Sequence, residues 1–394
     1  MNNPILPVNG VNFASINAGI KKNDDLDLSI ISMVEGSETA AVFTQNIFCA
    51  APVLVAKNHL QNCPRALLIN SGNANAGTGD QGLENTLKSC EILASELDIK
   101  GQQVLPFSTG VIGEQLNLSN FESGIPIAAA QLSFDAIKDV AKGILTTDLT
   151  EKYYSKTFEC KGKTVTISGI AKGSGMIRPD MATMLSFIFT DIGASQSALQ
   201  GCIKIAVDQS FNRITVDGDT STNDACSLSA TNQSRVNLDE CNEEFQKALN
   251  EVTKNLAHMI VRDGEGATKF VEINVGGLTS PEDCLEVAYT VAHSPLVKTA
   301  LFASDANWGR ILAAVGRSKV VGISIKNIDI FLNDLKVINL GEIDKNYSED
   351  QGSAEMKKSE ITIRVVLGGA EISESVWTTD LSYDYVKINA EYRS

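Results

Sequence analysis

The chain has 394 residues, 43% hydrophobic and 21% charged, an ordinary globular composition with length for roughly two to three domain-sized units. Its 33 Lys and Arg stand against 48 Asp and Glu, a formal net charge of −15. Nucleic acid and anionic membrane are therefore excluded as expected partners, because phosphate binding needs a basic face. No run of about eighteen apolar residues occurs, so no transmembrane helix is expected, and the opening MNNPILPVNGVNFASINAGIKK lacks the basic-then-apolar order of a secretory signal.

The eight cysteines are scattered with no CxxC pair and read as reduced thiols. Three histidines occur, His59, His258 and His293, none with the spacing of a zinc site or a Ser-His-Asp relay. The last two stand in AHMIVRD and TVAHSP, which read as helix ends, where a lone histidine usually caps or packs. The chemistry is expected to run without histidine.

Along the chain, β-branched runs predict strands at 52–57 (PVLVAK) and 65–70 (RALLIN). Amphipathic periods predict helices at 83–98 (LENTLKSCEILASELD) and 134–145 (FDAIKDVAKGIL), then a strand at 163–171 (KTVTISGIA). Helices follow at 196–211 and 242–263, a strand at 268–275 (TKFVEINV) and a long helix at 281–302. The last strands are read at VVGISI, IDIFLN, EITIRVVL and YVKINAEY, with the polar stretch 341–360 as a loop. This alternation predicts an α/β or α+β fold with layered sheets. There is no short-period repeat and no low-complexity tract.

The glycine-rich stretch NSGNANAGTGDQG (70–82) sits between a strand and a helix, where dinucleotide loops lie. Its glycines do not make GxGxxG, so tight turns with Asx-type bonding are expected instead. In AKGSG (171–175) the lysine precedes the glycines, the reverse of a phosphate-binding loop. Lys172 could bind a carboxylate as a point charge or stand solvated at the surface. Thr183 heads an apolar segment and taken singly reads as a strand or cap residue. PFSTGVIG (106–113) offers adjacent backbone donors at Thr109 and Gly110, and ILTTDLT (144–150) carries paired threonines and an aspartate. In VRDGEGATKF (261–270), Glu265 lies between glycines just before a strand, where backbone can approach a ligand closely.

Together STGVIG, TTD, AKGSGMIRPDMATML, DGDTSTND, VRDGEGATKF, SDANWGR and the terminal YDYVKINAEYRS, in order from residue 108 to 394, resemble the ornithine acetyltransferase family, the bifunctional glutamate N-acetyltransferases of arginine biosynthesis. The resemblance implies a layered α/β architecture of the ornithine acetyltransferase and β-aminopeptidase type. It implies self-cleavage between Ala182 and Thr183, dividing the chain into an α chain (1–182) and a β chain (183–394). Thr183 would then be the nucleophile, with its new α-amine as base. It would take acetyl from N2-acetylornithine and pass it to glutamate, with acetyl-CoA as a further donor in some members.

By the same resemblance Thr109 and Gly110 form the oxyanion hole. Thr146, Lys172, Thr183, Glu265, Asn389 and Ser394 match substrate-binding positions, with Thr147 an alternative to Thr146. Lys172 is expected on the substrate α-carboxylate, and Glu265 on the cationic end of ornithine or on the attacking amine. The terminus at Ser394 is expected to be packed. A cytoplasmic α2β2 assembly with no metal and no bound cofactor is implied. A self-processing amidohydrolase or aminopeptidase of related fold, in which water opens the acyl-enzyme, is the alternative, and a non-catalytic binding protein is a third reading.

Overall fold

The computed structural model describes residues 4–178 and 184–391. The chain divides into two compact units, Met1–Asn212 with Asp219–Ile260, and Arg213–Gly218 with Val261–Ser394.

The first unit runs through β1 (Val11–Ile16), β2 (Leu28–Met33), β3 (Glu38–Phe43), α1 (Ala51–His59), β4 (Ala66–Asn73), α2 (Gly79–Glu96), β5 (Val104–Val111), α3 (Leu118–Ala130) and α4 (Ile137–Gly143). It continues through β6 (Lys152–Cys160), β7 (Lys163–Lys172), β8 (Leu185–Thr190), α5 (Gln196–Asp208), β9 (Ala225–Ala230) and α6 (Asn242–Arg262), in whose last turn the boundary falls. One sheet has the order β1-β2-β4-β5 and the other β3-β9-β8-β7-β6. Each is antiparallel apart from one parallel pair, β4 with β5 and β8 with β9.

The two sheets face one another. Phe13, Leu67 and Phe107 of the first join Ile170, Phe187 and Phe189 of the second in one buried cluster. The rings of Phe13 and Phe189 stand 5.3 Å apart and those of Phe107 and Phe187 4.9 Å apart, edge to face in both pairs, the arrangement aromatic quadrupoles favour. The outer face of the first sheet is covered by α2 and α3, whose Cys90, Leu93, Phe121 and Ile125 meet Leu28, Ile30 and Leu68. On the second sheet α5 packs against β3 and β9. There α6 comes so close that a Cβ on Gly169 of β7 would lie 2.9 Å from Leu256 Cδ1. The result is a helix–sheet–sheet–helix stack, the layered α/β fold expected from the sequence. Central strands covered on both faces read as unbroken apolar runs, and β8, LSFIFT, is buried at every position.

The second unit contains β10 (Phe270–Gly277), α7 (Pro281–Ala292), α8 (Pro295–Phe302), α9 (Trp308–Gly316), β11 (Asp329–Leu332), β12 (Leu335–Asn339), β13 (Glu342–Ile343), α10 (Glu349–Met356), β14 (Glu360–Val366), β15 (Ala370–Thr379) and α11 (Tyr383–Ala390). Its sheet has the order β13-β12-β11-β14-β10-β15. Val271, Ile273 and Val275 alternate inward onto Val287, Val291, Leu301 and Val315 of the helices.

Several local expectations differ from the structure. PVLVAK forms helix α1, with Pro52 in its first turn and Val53 and Val55 buried. Proline pre-set for a helix start, together with burial, overrides the β preference of valine. VVGISI forms no strand, and Gly322 within it has φ +88°. The predicted helix 281–302 breaks at His293, because Ser294 caps a new helix that Pro295 opens. The expected loop 341–360 holds β13 and α10, the latter begun by a Ser348–Gln351 capping box. YVKINAEY begins as helix α11, capped by Ser382.

No helix among the described residues is long and apolar enough to cross a membrane, and all eight cysteines are free thiols. Because Phe187 is fully buried between the sheets, Phe187→Ala should cost about 3–5 kcal/mol. Denaturant unfolding of the two proteins side by side measures that loss, and a change below ~1 kcal/mol would contradict the packing described.

Candidate active site

The residues singled out in the first unit converge on one ammonium group. Lys172 is the last residue of β7, and only 7% of it is exposed. Its Nζ donates to Thr146 Oγ1 at 2.8 Å and to Thr109 Oγ1 at 3.3 Å. Thr109 and Gly110 lie at the end of β5, side by side with Ser71, Gly72 and Asn73 of β4 across an irregular register. Gly110 has φ +132°, and a Cβ there would stand 2.3 Å from the Gly72 carbonyl carbon. The approach of β4 thus demands glycine at this position. Thr147 is turned to a different partner, its hydroxyl 2.7 Å from Ser174 Oγ. Thr146 is the threonine at the lysine.

Asp148 holds this arrangement from beneath. Its side chain is fully buried, with Oδ1 2.7 Å from Lys152 Nζ and Oδ2 4.0 Å from Lys172 Nζ. The Gly173 N–H donates to Oδ1 at 2.7 Å and the Thr146 N–H to Oδ2 at 3.1 Å. Burial alone would raise the Asp148 pKa, but Lys172, Lys152 and the Gly173 N–H hold it well below the usual carboxylate range. Lys152 faces Ala171 across the β6/β7 ladder, so strand register delivers both lysines to one carboxylate. The TTD stretch drew attention to its threonines, and Asp148 and Lys152 were missed as their anchors. The i, i+4 spacing of the two charges was the available signal.

The loop behind β5 is spent on backbone. Asn73 Oδ1 accepts from the Asn75 N–H at 2.7 Å, an Asx turn of the kind expected. Asn223 Nδ2 donates to the carbonyls of Ala74 and Ser108 at 2.6 and 2.9 Å, which ties this loop to the strand that carries Thr109.

In the second unit, Glu265 is buried and Oε2 accepts from Asn389 Nδ2 at 2.7 Å. The same Asn389 nitrogen donates to the Tyr385 carbonyl one helical turn earlier, at 3.0 Å. Gly266 has φ +66°, and a Cβ there would lie 2.5 Å from the Tyr385 backbone nitrogen. Only glycine lets the Glu265 loop pass under the start of α11. Tyr385 Oη lies 3.2 Å from Asp217 Oδ2 and donates to it.

Ala182, Thr183 and Ser394 lie outside the described residues. Two histidines have structural partners, His59 Nδ1 with the Val104 carbonyl at 2.8 Å and His293 Nε2 with Thr215 Oγ1 at 3.0 Å. Among the described residues no group of three or more His, Cys, Asp or Glu is placed to hold a metal ion.

The family description "ArgJ family" matches residues 12–394. The chain belongs to the ArgJ family. It is 50% identical over 393 residues to the arginine biosynthesis bifunctional protein ArgJ of Pseudomonas syringae pv. tomato, covering 98% of this chain and 97% of that one. The protein of the same description from Methylococcus capsulatus is 50% identical over 394 residues, with 99% and 97% covered. A crystal structure of the arginine biosynthesis bifunctional protein ArgJ from Bacillus halodurans aligns with TM-score 0.50 at 37% identity, covering 52% of this chain and 98% of that chain.

Asp148 sets a test of the buried ion cluster. Asp148→Ala leaves two buried ammonium groups without their shared carboxylate and should destabilise the protein by about 3–5 kcal/mol in denaturant unfolding. Because its folded pKa is depressed, Asp148 contributes stability that is present above the unfolded carboxylate value of about 3.9 and is lost as pH falls through the lower folded value. Unfolding curves taken from neutral to acid pH should show a shallower acid loss in Asp148→Asn. An unchanged acid slope would contradict the role assigned.

Proposed function

We propose that this ArgJ-family chain transfers the acetyl group of N2-acetylornithine to glutamate through an acetyl-Thr183 intermediate. The observation that carries the reading is the junction of Lys172 with the Thr109 and Thr146 hydroxyls over a buried aspartate. Lys152, Lys172 and Asp148 together carry one net positive charge inside the protein, an environment suited to a substrate carboxylate.

In the proposed maturation, Thr183 Oγ attacks the Ala182 carbonyl, the acyl group moves from nitrogen to oxygen, and water hydrolyses the ester. Chain 183–394 then begins with an α-amine whose reference pKa is about 7.7–8.0, suited to accept the proton of the neighbouring hydroxyl. The flanking strands support this reading. β7 and β8 pair from Ile167↔Thr190 to Lys172↔Leu185, so a break between them leaves both pieces in one sheet. The solved Bacillus halodurans chain is matched almost whole by 52% of this one, a length that suits a chain divided near its middle.

In catalysis the Thr183 hydroxyl attacks the acetyl carbonyl of acetylornithine, ornithine leaves as the amine, and the glutamate amine opens the acetyl ester. Thr109 and Gly110 would donate N–H groups to the tetrahedral oxyanion, each such donor being worth about 2.7–4 kcal/mol of barrier. Lys172 and Thr146 would hold the substrate α-carboxylate. Glu265 and Asn389 would serve the cationic end of ornithine or the attacking amine, and Ser394 is assigned to substrate binding. Acetyl transfer carried on a threonine oxygen needs no resident cofactor. Acetyl-CoA is proposed as a second donor because the relatives at 50% identity are described as bifunctional. A cytoplasmic α2β2 assembly belongs to the same proposal.

Intact mass and a product assay test the reading together. The wild type should give fragments 1–182 and 183–394 and release ornithine from acetylornithine in step with glutamate consumption. Thr183→Ala should stay uncut and inactive. Ornithine release that needs no glutamate would favour the hydrolase, and a cleaved, active Thr183→Ala would move the nucleophile elsewhere. Lys172→Met removes a charge-assisted bond worth about 1.5–3 kcal/mol, so kcat/KM should fall roughly tenfold to more than a hundredfold. Steady-state kinetics with both amino-acid substrates reads that change.

A further inference from the structure

Two buried charged residues take no part in the account so far, Lys298 of α8 and Asp380 just beyond β15. Both meet in the short stretch TTDLS (378–382). Lys298 Nζ donates to Thr378 Oγ1 at 3.0 Å, to the Thr379 carbonyl, and to Thr379 Oγ1 at 3.4 Å. The Lys298 carbonyl accepts the Leu381 N–H at 3.2 Å. Side chain and backbone of one α8 residue thus hold the joint between β15 and α11.

The Asp380 carboxylate reaches to the loop that carries Glu265. Oδ1 accepts from the N–H groups of Thr268 and Lys269 at 2.8 and 3.0 Å, and Oδ2 from the Thr268 hydroxyl at 2.6 Å. Glu265 stands in the preceding turn, closed by the Ala267 N–H on the Gly264 carbonyl at 2.9 Å. Two residues beyond Asp380, Ser382 Oγ accepts the Tyr385 N–H at 3.2 Å and starts the helix that presents Asn389. Both members of the Glu265–Asn389 pair are therefore set out from one tripeptide, 380–382.

A four-residue turn has no ladder of its own to fix its apex. The 2.7 Å bond between Glu265 and Asn389 requires loop and helix to keep their spacing, and Asp380 spans the two. Lys298 is a costly fastening for a strand end. Burial pushes its ammonium down to about 8, against the pull of Asp380 and Asp217, and an apolar side chain would avoid that cost. What the charge supplies is a grip on the carbonyl of the peptide that joins Thr379 to Asp380.

We propose that Asp380 is a positioning residue for the Glu265–Asn389 pair, with Lys298 fixing the joint on which it stands, an assignment that rests on Glu265 serving the substrates. Neither side chain is assigned contact with substrate. Asp380 acts by holding the Glu265 carboxylate at one distance from the Asn389 amide, so that binding does not first have to order the loop.

The test uses the full-length enzyme and measures kcat/KM for acetylornithine, kcat/KM for glutamate, and the burst of p-nitrophenol from p-nitrophenyl acetate. That ester acetylates the nucleophile without offering an amino-acid end for Glu265 to hold. Glu265→Gln first identifies which amino-acid substrate depends on the carboxylate. Asp380→Ala should lower kcat/KM for that same substrate by about 10²-fold, the scale of a misplacement of about 1 Å, and leave the ester burst at the wild-type rate. Lys298→Met should fall in the same direction by less. With Glu265→Gln already in place, adding Asp380→Ala should cost nothing further, because the residue acts through Glu265. Wild-type kinetics in Asp380→Ala beside an impaired Glu265→Gln, a fully additive loss in the double variant, or an equal loss of the ester burst would overturn the assignment. Should Asp380→Ala not fold, Lys298→Met, alone and combined with Glu265→Gln, decides on the same terms. Wild-type kinetics in Glu265→Gln would defeat the reading of Glu265 and this assignment with it, an outcome distinct from a failure at Asp380 alone.

Discussion

A lysine at the end of a core strand is unstable unless its charge is answered inside the protein. For Lys172 the answer is Asp148, whose carboxylate is shared with Lys152 and fastened by the N–H groups of Thr146 and Gly173. That one carboxylate binds the Thr146 segment, the end of β7 and the start of β6 to a single point. The Thr109 and Thr146 hydroxyls meet at the Lys172 ammonium because this anchor aims it. Remove the aspartate and the two lysines repel in a site from which water is largely excluded.

Backbone constraints do comparable work within each unit. Gly110 can end β5 only without a side chain, since Gly72 and Asn73 of the neighbouring strand occupy the space a Cβ would need. In the second unit Gly266 plays the matching part for Glu265, where the first turn of α11 takes that space. In both units a candidate side chain or N–H is set beside a position that tolerates glycine alone. The short contacts that fix these groups come from close backbone approach.

Much of the architecture could be read before the structure was known. KTVTISGIA and EITIRVVL alternate or run apolar as strands do, and β7 and β14 form there. The long amphipathic period of 242–263 is α6. YVKINAEY was misread because its Val and Ile mimic a strand, whereas Ser382 supplies a helix cap. The helix matters to the site, for it is the i, i+4 spacing of Tyr385 and Asn389 that lets one amide nitrogen bond both the Tyr385 carbonyl and Glu265. Family resemblance pointed to Lys172 and Glu265 but could not choose between Thr146 and Thr147, because adjacent hydroxyls differ only in what the fold places opposite them. Asp148 was legible only in part: its partner Lys152 stands four residues on, whereas Lys172 is remote in sequence and becomes a neighbour through the fold.

The central claim is that acetyl passes through the oxygen of Thr183. The direct measurement is to mix the enzyme with acetylornithine carrying a labelled acetyl group, quench in acid, and map the label by peptide mass spectrometry. The account predicts one labelled acetyl on the Thr183 hydroxyl, in a peptide that begins at Thr183, discharged when glutamate is added before the quench. No acetyl-enzyme, label on another residue, or label indifferent to glutamate would contradict it.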